Sequence, residues 1–153
     1  MRYADFSEPE YSLLSGEETI RLINNTDPDL WTNKRIRYLV SNEARREQHI
    51  IARVGDKIVG IAGIQHNPYN ENDLWIKFIS VDPEYQGNGI ARELLRKIYL
   101  YALENNVRFA PGSFTEEGDR LRHIHDEFDK IYPAATYRKI NGNYVDDEGK
   151  IIR

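Results

Sequence analysis

The sequence predicts an α/β fold of the α+β type, with helices and strands in the order βααβββαβαββ. Three observations support this fold class: two β-branched runs over residues 50–54 and 58–64, an apolar run over 74–81 that leads through a glycine-rich turn into an amphipathic helix, and an Asn-Gly pair within 136–146. Of the 153 residues, 40% are hydrophobic, which is enough for one core. Because no repeat or low-complexity linker interrupts the chain, we expect a single domain over residues 1–153.

The N-terminal part is predicted to begin with a strand and a helix. A short strand is expected over residues 2–6. Ser15, followed three positions later by Glu18, is the pattern of a capping box, and an apolar run follows it. The helix that starts there is expected to end near residues 24–25, where two asparagines stand.

A second helix and a β-hairpin are predicted next. Asp27 is a good N-cap residue, and Pro28 suits the first position of a helix. The β-branched runs over residues 50–54 and 58–64 are separated by Gly-Asp-Lys, which favours an antiparallel hairpin. The hairpin is the first part of the predicted sheet.

Two more strands and a helix are predicted in the middle of the chain. A polar loop over residues 67–73 leads into the strand over 74–81. Apolar residues then recur at helical spacing from Ile90 until the Asn-Asn pair at 105–106 ends the helix. The chain is expected to return as a strand over residues 107–114.

The C-terminal part is predicted to hold a helix and a hairpin. The helix is expected over residues 116–131 and is stopped by Pro133. Its apolar stripe consists of Leu121, Ile124, Phe128 and Ile131. The pair Asn141 and Gly142 suits a type I′ turn between two short strands.

Composition and charge exclude several classes of function. The net charge of −4 provides no positive field for nucleic acid. The absence of cysteine excludes disulfides, a thiolate nucleophile and cysteine-based zinc sites, and no metal is expected. No apolar run approaches the roughly 20 residues that cross a bilayer, and the N-terminus lacks a leader pattern. We therefore expect a cytoplasmic protein without membrane or nucleic-acid partners.

The junction between the strand over 74–81 and the following helix has the properties of a phosphate-binding loop. The first amides of a helix have no intrahelical acceptor, and the helix dipole makes this end positive. Two glycines and an alanine leave room for an anion to approach. A Walker loop and a dinucleotide fingerprint are both excluded, because neither pattern is present. The loop consists of Gln86, Gly87, Asn88, Gly89, Ile90 and Ala91.

This loop matches the pattern Q/R-x-x-G-x-G/A in full and follows the segment V-D-P-E-Y. In these residues the chain resembles the GNAT superfamily of acetyl-CoA-dependent N-acyltransferases, most clearly over residues 50–106. The resemblance implies a mixed, mostly antiparallel central sheet with flanking helices. It also implies an acyltransferase that passes the acetyl group of acetyl-CoA to a primary amine by direct attack in a ternary complex.

The resemblance also assigns contacts to the coenzyme. In the family, acetyl-CoA lies between the strand before the loop and the strand after the following helix, which splay apart. By position, the main chain of Ile79, Ser80 and Val81 would bind the pantetheine. The amides of residues 86–91 would hold the pyrophosphate.

A general base is needed because an ammonium group has no lone pair with which to attack. Many family members carry a carboxylate at the position that is Trp75 here, so this chain departs from the pattern. Asp73 lies two residues earlier, on the same strand face, and is the first candidate base. The alternative is a loop aspartate that caps the strand entry. Glu71 and His66 are weaker candidates.

The family often protonates the departing thiolate with a tyrosine, at the position that is Phe128 here. Phenylalanine cannot donate a proton. Tyr132, four residues later on the same helix face, is the candidate substitute. The alternative is an aromatic side chain at the helix end that packs on the sheet. His125 borders the apolar stripe and is interpreted either as a buried structural histidine or as a group in the site.

The acceptor is expected to be a small-molecule or peptide amine. Acidic residues near the predicted acceptor side favour a cationic amine; they are Glu71, Asp73, Glu116, Glu117 and Asp119. Exposed strand edges at the C-terminal hairpin are compatible with a homodimer. Two alternatives stay open: a CoA-binding module that has lost turnover and acts as a sensor or interaction partner, and an acetyltransferase directed at host proteins.

Overall fold

The computed structural model describes residues 8–26, 42–110 and 121–152. Strands β1 to β4 form one sheet in the order β1-β2-β3-β4, and β5 and β6 form a two-stranded sheet. The pairs β1–β2, β2–β3 and β5–β6 are antiparallel, so the predicted fold class is confirmed. The elements are β1 (Glu10–Ser15), α1 (Gly16–Asn24), β2 (Gln48–Val54), β3 (Lys57–His66), β4 (Leu74–Val81), α2 (Ile90–Glu104), α3 (Arg122–Ile131), β5 (Arg138–Ile140) and β6 (Asn143–Val145).

The described residues fall into two compact units. The first unit contains residues up to Gln65 together with Lys77–Leu95, and the second contains His66–Ile76 together with the residues from Arg96 onward. The single domain over residues 1–153 stays a prediction.

The N-terminal elements agree with the sequence at the helix and differ from it at the strand. Ser15 Oγ accepts a hydrogen bond from the Glu18 amide, and Glu18 Oε1 accepts one from the Ser15 amide, so the capping box is confirmed. The strand found here is β1, which was not predicted, while residues 2–6 lie outside the described part of the chain. β1 lacks clear alternation, and its Leu13 is 48% exposed. The predicted helix that starts at Asp27 also lies outside the described residues.

The hairpin β2–β3 and strand β4 build the core of the first unit. The chain turns at Gly55, as predicted, and β3 is buried along almost its whole length. β4 has the bounds that the sequence predicts. The core cluster consists of Ile23, Ile51, Ile58, Ile61 and Phe78.

The predicted strand over residues 107–114 is reduced, within the described residues, to two isolated bridges. Arg108 forms a parallel bridge with Asp73, and Phe109 forms one with Thr136. The main chain changes its partner after a single residue, so no ladder of strand length develops. The remainder of the predicted strand lies outside the described residues.

Helix α3 and the C-terminal hairpin complete the second unit. Phe128 is buried as predicted, but Ile131 is 55% exposed, so its place in the apolar stripe was wrong. The helix ends at Ile131, and the buried face is completed instead by His125, which is 5% exposed. Residues 116–120 of the predicted helix lie outside the described part. Asn141 and Gly142 both have positive φ, which confirms the two-residue turn.

Candidate active site

The turn after β4 is fixed by its own hydrogen bonds and by the sheet. The Asp82 amide donates to the Val59 carbonyl of β3 at 2.8 Å. Asp82 Oδ1 accepts a bond from the Glu84 amide at 3.0 Å, and the Asp82 carbonyl accepts one from the Tyr85 amide at 2.8 Å. Asp82 and Tyr85 are both buried. The chain therefore enters the predicted phosphate-binding loop from a fixed position in the first unit.

The side chains of Gln86 and Asn88 hold the loop together. Gln86 Nε2 donates to the Val81 carbonyl at 3.3 Å. Asn88 Nδ2 donates to the Tyr85 carbonyl at 3.1 Å and lies 3.4 Å from the Gln86 carbonyl. Both side chains are thus used to shape the loop, and the main chain is the part suited to bind a ligand.

The two glycines adopt conformations that other residues rarely reach. Gly87 and Gly89 have φ angles of +83° and +80°, in the left-handed region. A Cβ atom at either position would meet no atom within 4 Å, so the surface above both glycines is open. The Glu93 amide donates to the Gly89 carbonyl at 3.0 Å, so Gly89, the residue directly before helix α2, accepts a hydrogen bond from its first turn. The open backbone therefore leads directly into a helix N-terminus, where anions are favoured.

Glycine at position 60 allows α2 to pack closely on β3. A Cβ atom at Gly60 would lie 2.8 Å from Ile90 Cγ2 and 3.1 Å from Leu94 Cδ1. Ile90 and Leu94 are both buried. The first turn of α2, and with it the predicted anion site, is held against the sheet by this contact.

The predicted pantetheine contacts lie together at the end of β4. Ile79, Ser80 and Val81 are consecutive and half-buried. Their binding to a coenzyme stays a prediction, as does that of the loop residues 86–91.

Asp73 lies immediately before β4 and is 3% exposed. Its Oδ2 atom accepts hydrogen bonds from Asn67 Nδ2 at 3.1 Å and from Trp75 Nε1 at 3.0 Å. Its carbonyl accepts a bond from the Asn67 amide at 2.9 Å. The carboxylate is therefore bonded directly to the side chain at the position where many family members carry their own carboxylate. Sequence reasoning placed Asp73 and Trp75 on one face and missed the bond between them.

The other candidate bases have different surroundings. His66 Nε2 lies 2.6 Å from the hydroxyl oxygen of Tyr101 on helix α2, and the His66 side chain is exposed. Glu71 is exposed in the turn before β4.

Tyr132 is the first residue after α3 and is half-buried. Its ring centroid lies 6.0 Å from that of Phe128 and 6.0 Å from that of Tyr99. Tyr132 and Phe128 thus share a face, and this packing fits the alternative of an aromatic helix end. The role of Tyr132 as a proton donor stays a prediction.

A buried polar cluster between α2 and α3 was missed by sequence reasoning. The Tyr99 hydroxyl oxygen lies 2.5 Å from Asp129 Oδ1 and 3.1 Å from the His125 carbonyl. Burial raises the pKa of Tyr99 and of Asp129, and it lowers the pKa of His125 to about 4. His125 and Asp129 stand four positions apart in the sequence, on either side of Phe128, and this spacing was the sequence signal from which the cluster could have been predicted. His125 is buried, as a structural histidine would be, and its alternative role as a group in the site stays a prediction.

Neither a cluster of metal ligands nor an apolar helix of membrane-spanning length occurs among the described residues. No group of three or more histidine, aspartate or glutamate side chains there is arranged to hold a metal ion. None of the helices in these residues has the length and apolar character needed to cross a membrane.

Comparison with known proteins gives matches at the levels of sequence and fold. The sequence model of the acetyltransferase (GNAT) family matches residues 14–129. The L-2,4-diaminobutyric acid acetyltransferase of Halalkalibacterium halodurans is 22% identical over 111 residues, which are 72% of this chain and 58% of that protein. The match thus spans less than two thirds of the length of this curated relative.

Two solved structures illustrate the similarity in fold. The diaminobutyrate acetyltransferase of Paenibacillus lautus, in complex with L-2,4-diaminobutyric acid and coenzyme A, has a TM-score of 0.54 at 17% identity and covers 82% of this chain and 76% of its own. The ribosomal-protein-alanine N-acetyltransferase of Brucella melitensis has a TM-score of 0.51 at 20% identity, with coverages of 75% and 88%. At these sequence identities, the two structures show a similarity of fold alone.

Proposed function

The chain belongs to the acetyltransferase (GNAT) family, and from this premise we propose that it is an N-acetyltransferase that transfers the acetyl group of acetyl-CoA to a primary amine. The prediction of an acyltransferase is confirmed at the level of the family, whose acetyltransferases use acetyl-CoA. The observation that carries the proposal for this chain is the loop at Gly87 and Gly89, which is open and leads into the N-terminus of α2.

The main chain of this loop supplies the proposed coenzyme contacts. The amides of residues 86–91 hold the pyrophosphate, because a helix N-terminus combines unbonded donors with a positive dipole end. The main chain of Ile79, Ser80 and Val81 binds the pantetheine amides as an added strand would. These contacts need backbone geometry more than particular side chains.

The proposed reaction is a direct attack. The amine nitrogen forms a bond to the thioester carbonyl carbon, and the carbon–sulfur bond then breaks with its electron pair leaving on sulfur. A main-chain amide at or near Val81 stabilises the oxyanion that develops in between. The chain contains no cysteine, so it has no thiol to carry the acetyl group as an intermediate thioester.

Three proton transfers complete the proposed reaction: the nitrogen loses one proton before the attack and a second one to water as the amide forms, and the sulfur takes up one. Asp73 is the proposed base that takes a proton from the ammonium group, directly or through water. Tyr132 is the proposed donor to the departing thiolate. A thiol has a pKa of about 8.5, so the thiolate leaves acceptably without a donor, and loss of Tyr132 is expected to slow the reaction rather than abolish it.

The proposed acceptor is a cationic amine. The relatives support amines as the class: the names of two refer to L-2,4-diaminobutyric acid, and that of a third refers to the alanine of a ribosomal protein. Glu71 is exposed, two residues before Asp73 in the chain, and would favour a positively charged acceptor. A small molecule and a peptide N-terminus both satisfy this chemistry.

The test is to incubate the protein with acetyl-CoA and a panel of diamines, amino acids and short peptides while thiol release is followed. We expect one acetylated amine for each thiol released and intersecting initial-velocity lines, as for a ternary complex. Protein quenched with acetyl-CoA alone should gain no acetyl mass at the site. Parallel lines together with an acetylated protein would contradict direct attack.

A second candidate function is supported by Trp75 and Phe128, which occupy positions of the usual catalytic groups. This candidate is a CoA-binding module without turnover, acting as a sensor or interaction partner. Calorimetric binding of CoA combined with no thiol release across the whole panel would favour it over the enzyme.

A further inference from the structure

One ammonium group faces both carboxylates that precede the phosphate-binding loop. Lys57 is the first residue of β3, and its Nζ atom lies 3.2 Å from Glu84 Oε2 and 3.8 Å from Asp82 Oδ2. The same Nζ atom lies 5.0 Å from the centroid of the Tyr85 ring. The Lys57 side chain is 18% exposed, so water screens its charge less than that of an ordinary surface lysine. All four residues belong to the first unit.

The carboxylates of Asp82 and Glu84 oppose the binding of the proposed ligand, the diphosphate of the coenzyme. A diphosphate bound at the start of α2 meets negative charge from Asp82 and Glu84, which stand directly before the loop in the chain. The Asp82 side chain is fully buried, so its field is poorly screened. Lys57 offsets part of this charge and makes the entry to the loop less repulsive to an anion.

Lys57 also contacts the turn that sets the position of the loop. Asp82 and Tyr85 begin and end this turn, and the Tyr85 carbonyl accepts the hydrogen bond of Asn88. Asn88 lies between the two glycines of positive φ. A continuous set of contacts therefore runs from the ammonium group of Lys57 to the backbone that is proposed to hold the pyrophosphate.

We propose that Lys57 is a positioning residue for the coenzyme: it offsets the carboxylates of Asp82 and Glu84 and holds the turn that presents the phosphate-binding amides. This inference rests on the proposed function and adds a residue from a different hairpin to the coenzyme site. Its effect is specific to the anionic coenzyme and does not extend to the amine acceptor.

The test measures CoA binding by calorimetry at low and moderate salt, together with steady-state kinetics. Lys57→Met keeps the aliphatic stem and removes the charge, and we expect it to weaken CoA binding by about tenfold at low salt and by less at moderate salt. The KM for acetyl-CoA should rise in parallel, while the KM for the amine stays within about twofold. Lys57→Arg should restore most of the affinity, because it restores the charge.

Glu84 provides a second and independent variant. Its side chain is 55% exposed, so Glu84→Gln is expected to fold normally. Alone it should tighten CoA binding slightly, and in the Lys57→Met background it should recover part of the lost affinity, because one of the two carboxylates that Lys57 faces has lost its charge. Lys150→Met, at an exposed lysine in the C-terminal turn, is the matched control and should bind CoA as the wild type does.

The outcomes separate this inference from the proposed function. Wild-type protein that binds no CoA would overturn the proposed function and this inference with it. A Lys57→Met protein that binds CoA as tightly as wild type would overturn the inference alone. So would a Glu84→Gln protein whose CoA binding is weakened, since the charge argument requires the opposite sign.

Discussion

Two properties of Gly89 depend on the absence of a Cβ atom. Its φ angle of +80° is unfavourable for any residue with a side chain, and the space where a Cβ would stand is open to solvent. Gly89→Ala is expected to lower the free energy of unfolding by about 1 kcal/mol. It should also weaken CoA binding by about tenfold or more, since a methyl group would stand where the anion approaches. Chemical denaturation and calorimetry measure the two effects separately.

Gly149 is the matched control for this variant. It has a φ angle of +83° in the C-terminal turn, and a Cβ there would also meet no atom within 4 Å. Gly149→Ala should cost about the same stability and leave CoA binding unchanged. Equal losses of CoA affinity in the two variants would show that strain, and not access to the loop, explains the effect at Gly89.

Asp73 is the side chain whose proposed role is most directly tested by substitution. Asp73→Asn keeps the shape and removes the capacity to accept a proton, so we expect the turnover number to fall by about 100-fold or more with the KM for acetyl-CoA little changed. Trp75→Phe removes the Nε1 donor to Asp73 while it keeps an aromatic ring, and it should change turnover by a few-fold. An Asp73→Asn protein with near wild-type turnover at every pH would exclude Asp73 as the base.

The elements that the sequence predicted well are those decided by local interactions. The capping box of α1 and the Asn-Gly turn depend on neighbours within four residues, and β4 is a run rich in β-branched and aromatic residues that is ended by Asp-Pro. Strand β1 was missed because its exposed Leu13 breaks the alternation that identifies a strand. The end of α3 at Ile131 was predicted, but Ile131 was wrongly placed in the buried stripe, because helical spacing continues in the sequence past the residue where burial stops.

The residues of the candidate site also divide into those that a local motif identifies and those that only the folded structure brings together. The predicted phosphate-binding loop is a local motif, so the sequence alone singles out its residues, and their binding to a coenzyme stays a prediction. The contact of Lys57 with Glu84 joins positions 27 residues apart, and that of Tyr99 with Asp129 joins positions 30 apart. No periodicity reports such pairs, because they depend on how strands and helices pack in three dimensions. The catalytic residues are harder still to name, since the usual family positions hold Trp75 and Phe128.

The packing of α2 on β3 gives a prediction for these elements. A Cβ atom at Gly60 would lie 2.8 Å from Ile90 Cγ2, closer than packing allows. Gly60→Ala must therefore displace the Ile90 side chain or the first turn of α2, and we expect a loss of about 1 to 3 kcal/mol in the free energy of unfolding together with weaker CoA binding. Urea denaturation and calorimetry measure the two effects.

Ile90 provides the compensating variant. Ile90→Ala removes the methyl group that Gly60→Ala would meet, so the two substitutions together should cost less than the sum of their separate effects. Strict additivity would contradict the contact as the cause of the loss. Because the Ile90 main chain is retained, the double variant should also regain part of the CoA affinity.

The stability of the whole chain is expected to depend on pH through His125. Burial holds the pKa of His125 at about 4 in the folded protein, below its ordinary value of 6.5. The unfolded chain therefore binds a proton between about pH 6.5 and 4 that the folded chain does not bind. This contribution to stability is fully present above pH 6.5 and is lost as the pH falls toward 4, by as much as about 3 kcal/mol.

Asp129 changes the pH dependence of the free energy of unfolding in the direction opposite to His125. Burial raises its pKa, so the folded protein takes up this proton at a higher pH than the unfolded chain does. Acidification through that range favours the folded state and offsets part of the loss at His125. The net free energy of unfolding is therefore expected to fall on acidification below pH 6.5 by less than His125 alone would give.

His125→Phe isolates the histidine because it removes proton uptake and keeps a ring of similar size. The ring centroids of Tyr99 and Phe109 lie 6.1 and 6.3 Å from that of His125, so an aromatic side chain suits the position. Denaturant unfolding between pH 7 and 4.5 should show a flatter dependence for this variant than for the wild type. His123→Gln, at an exposed position of the same helix, should keep the wild-type slope. If His125→Phe also kept it, proton uptake elsewhere in the chain would be the cause, since a group that cannot titrate cannot contribute to the slope.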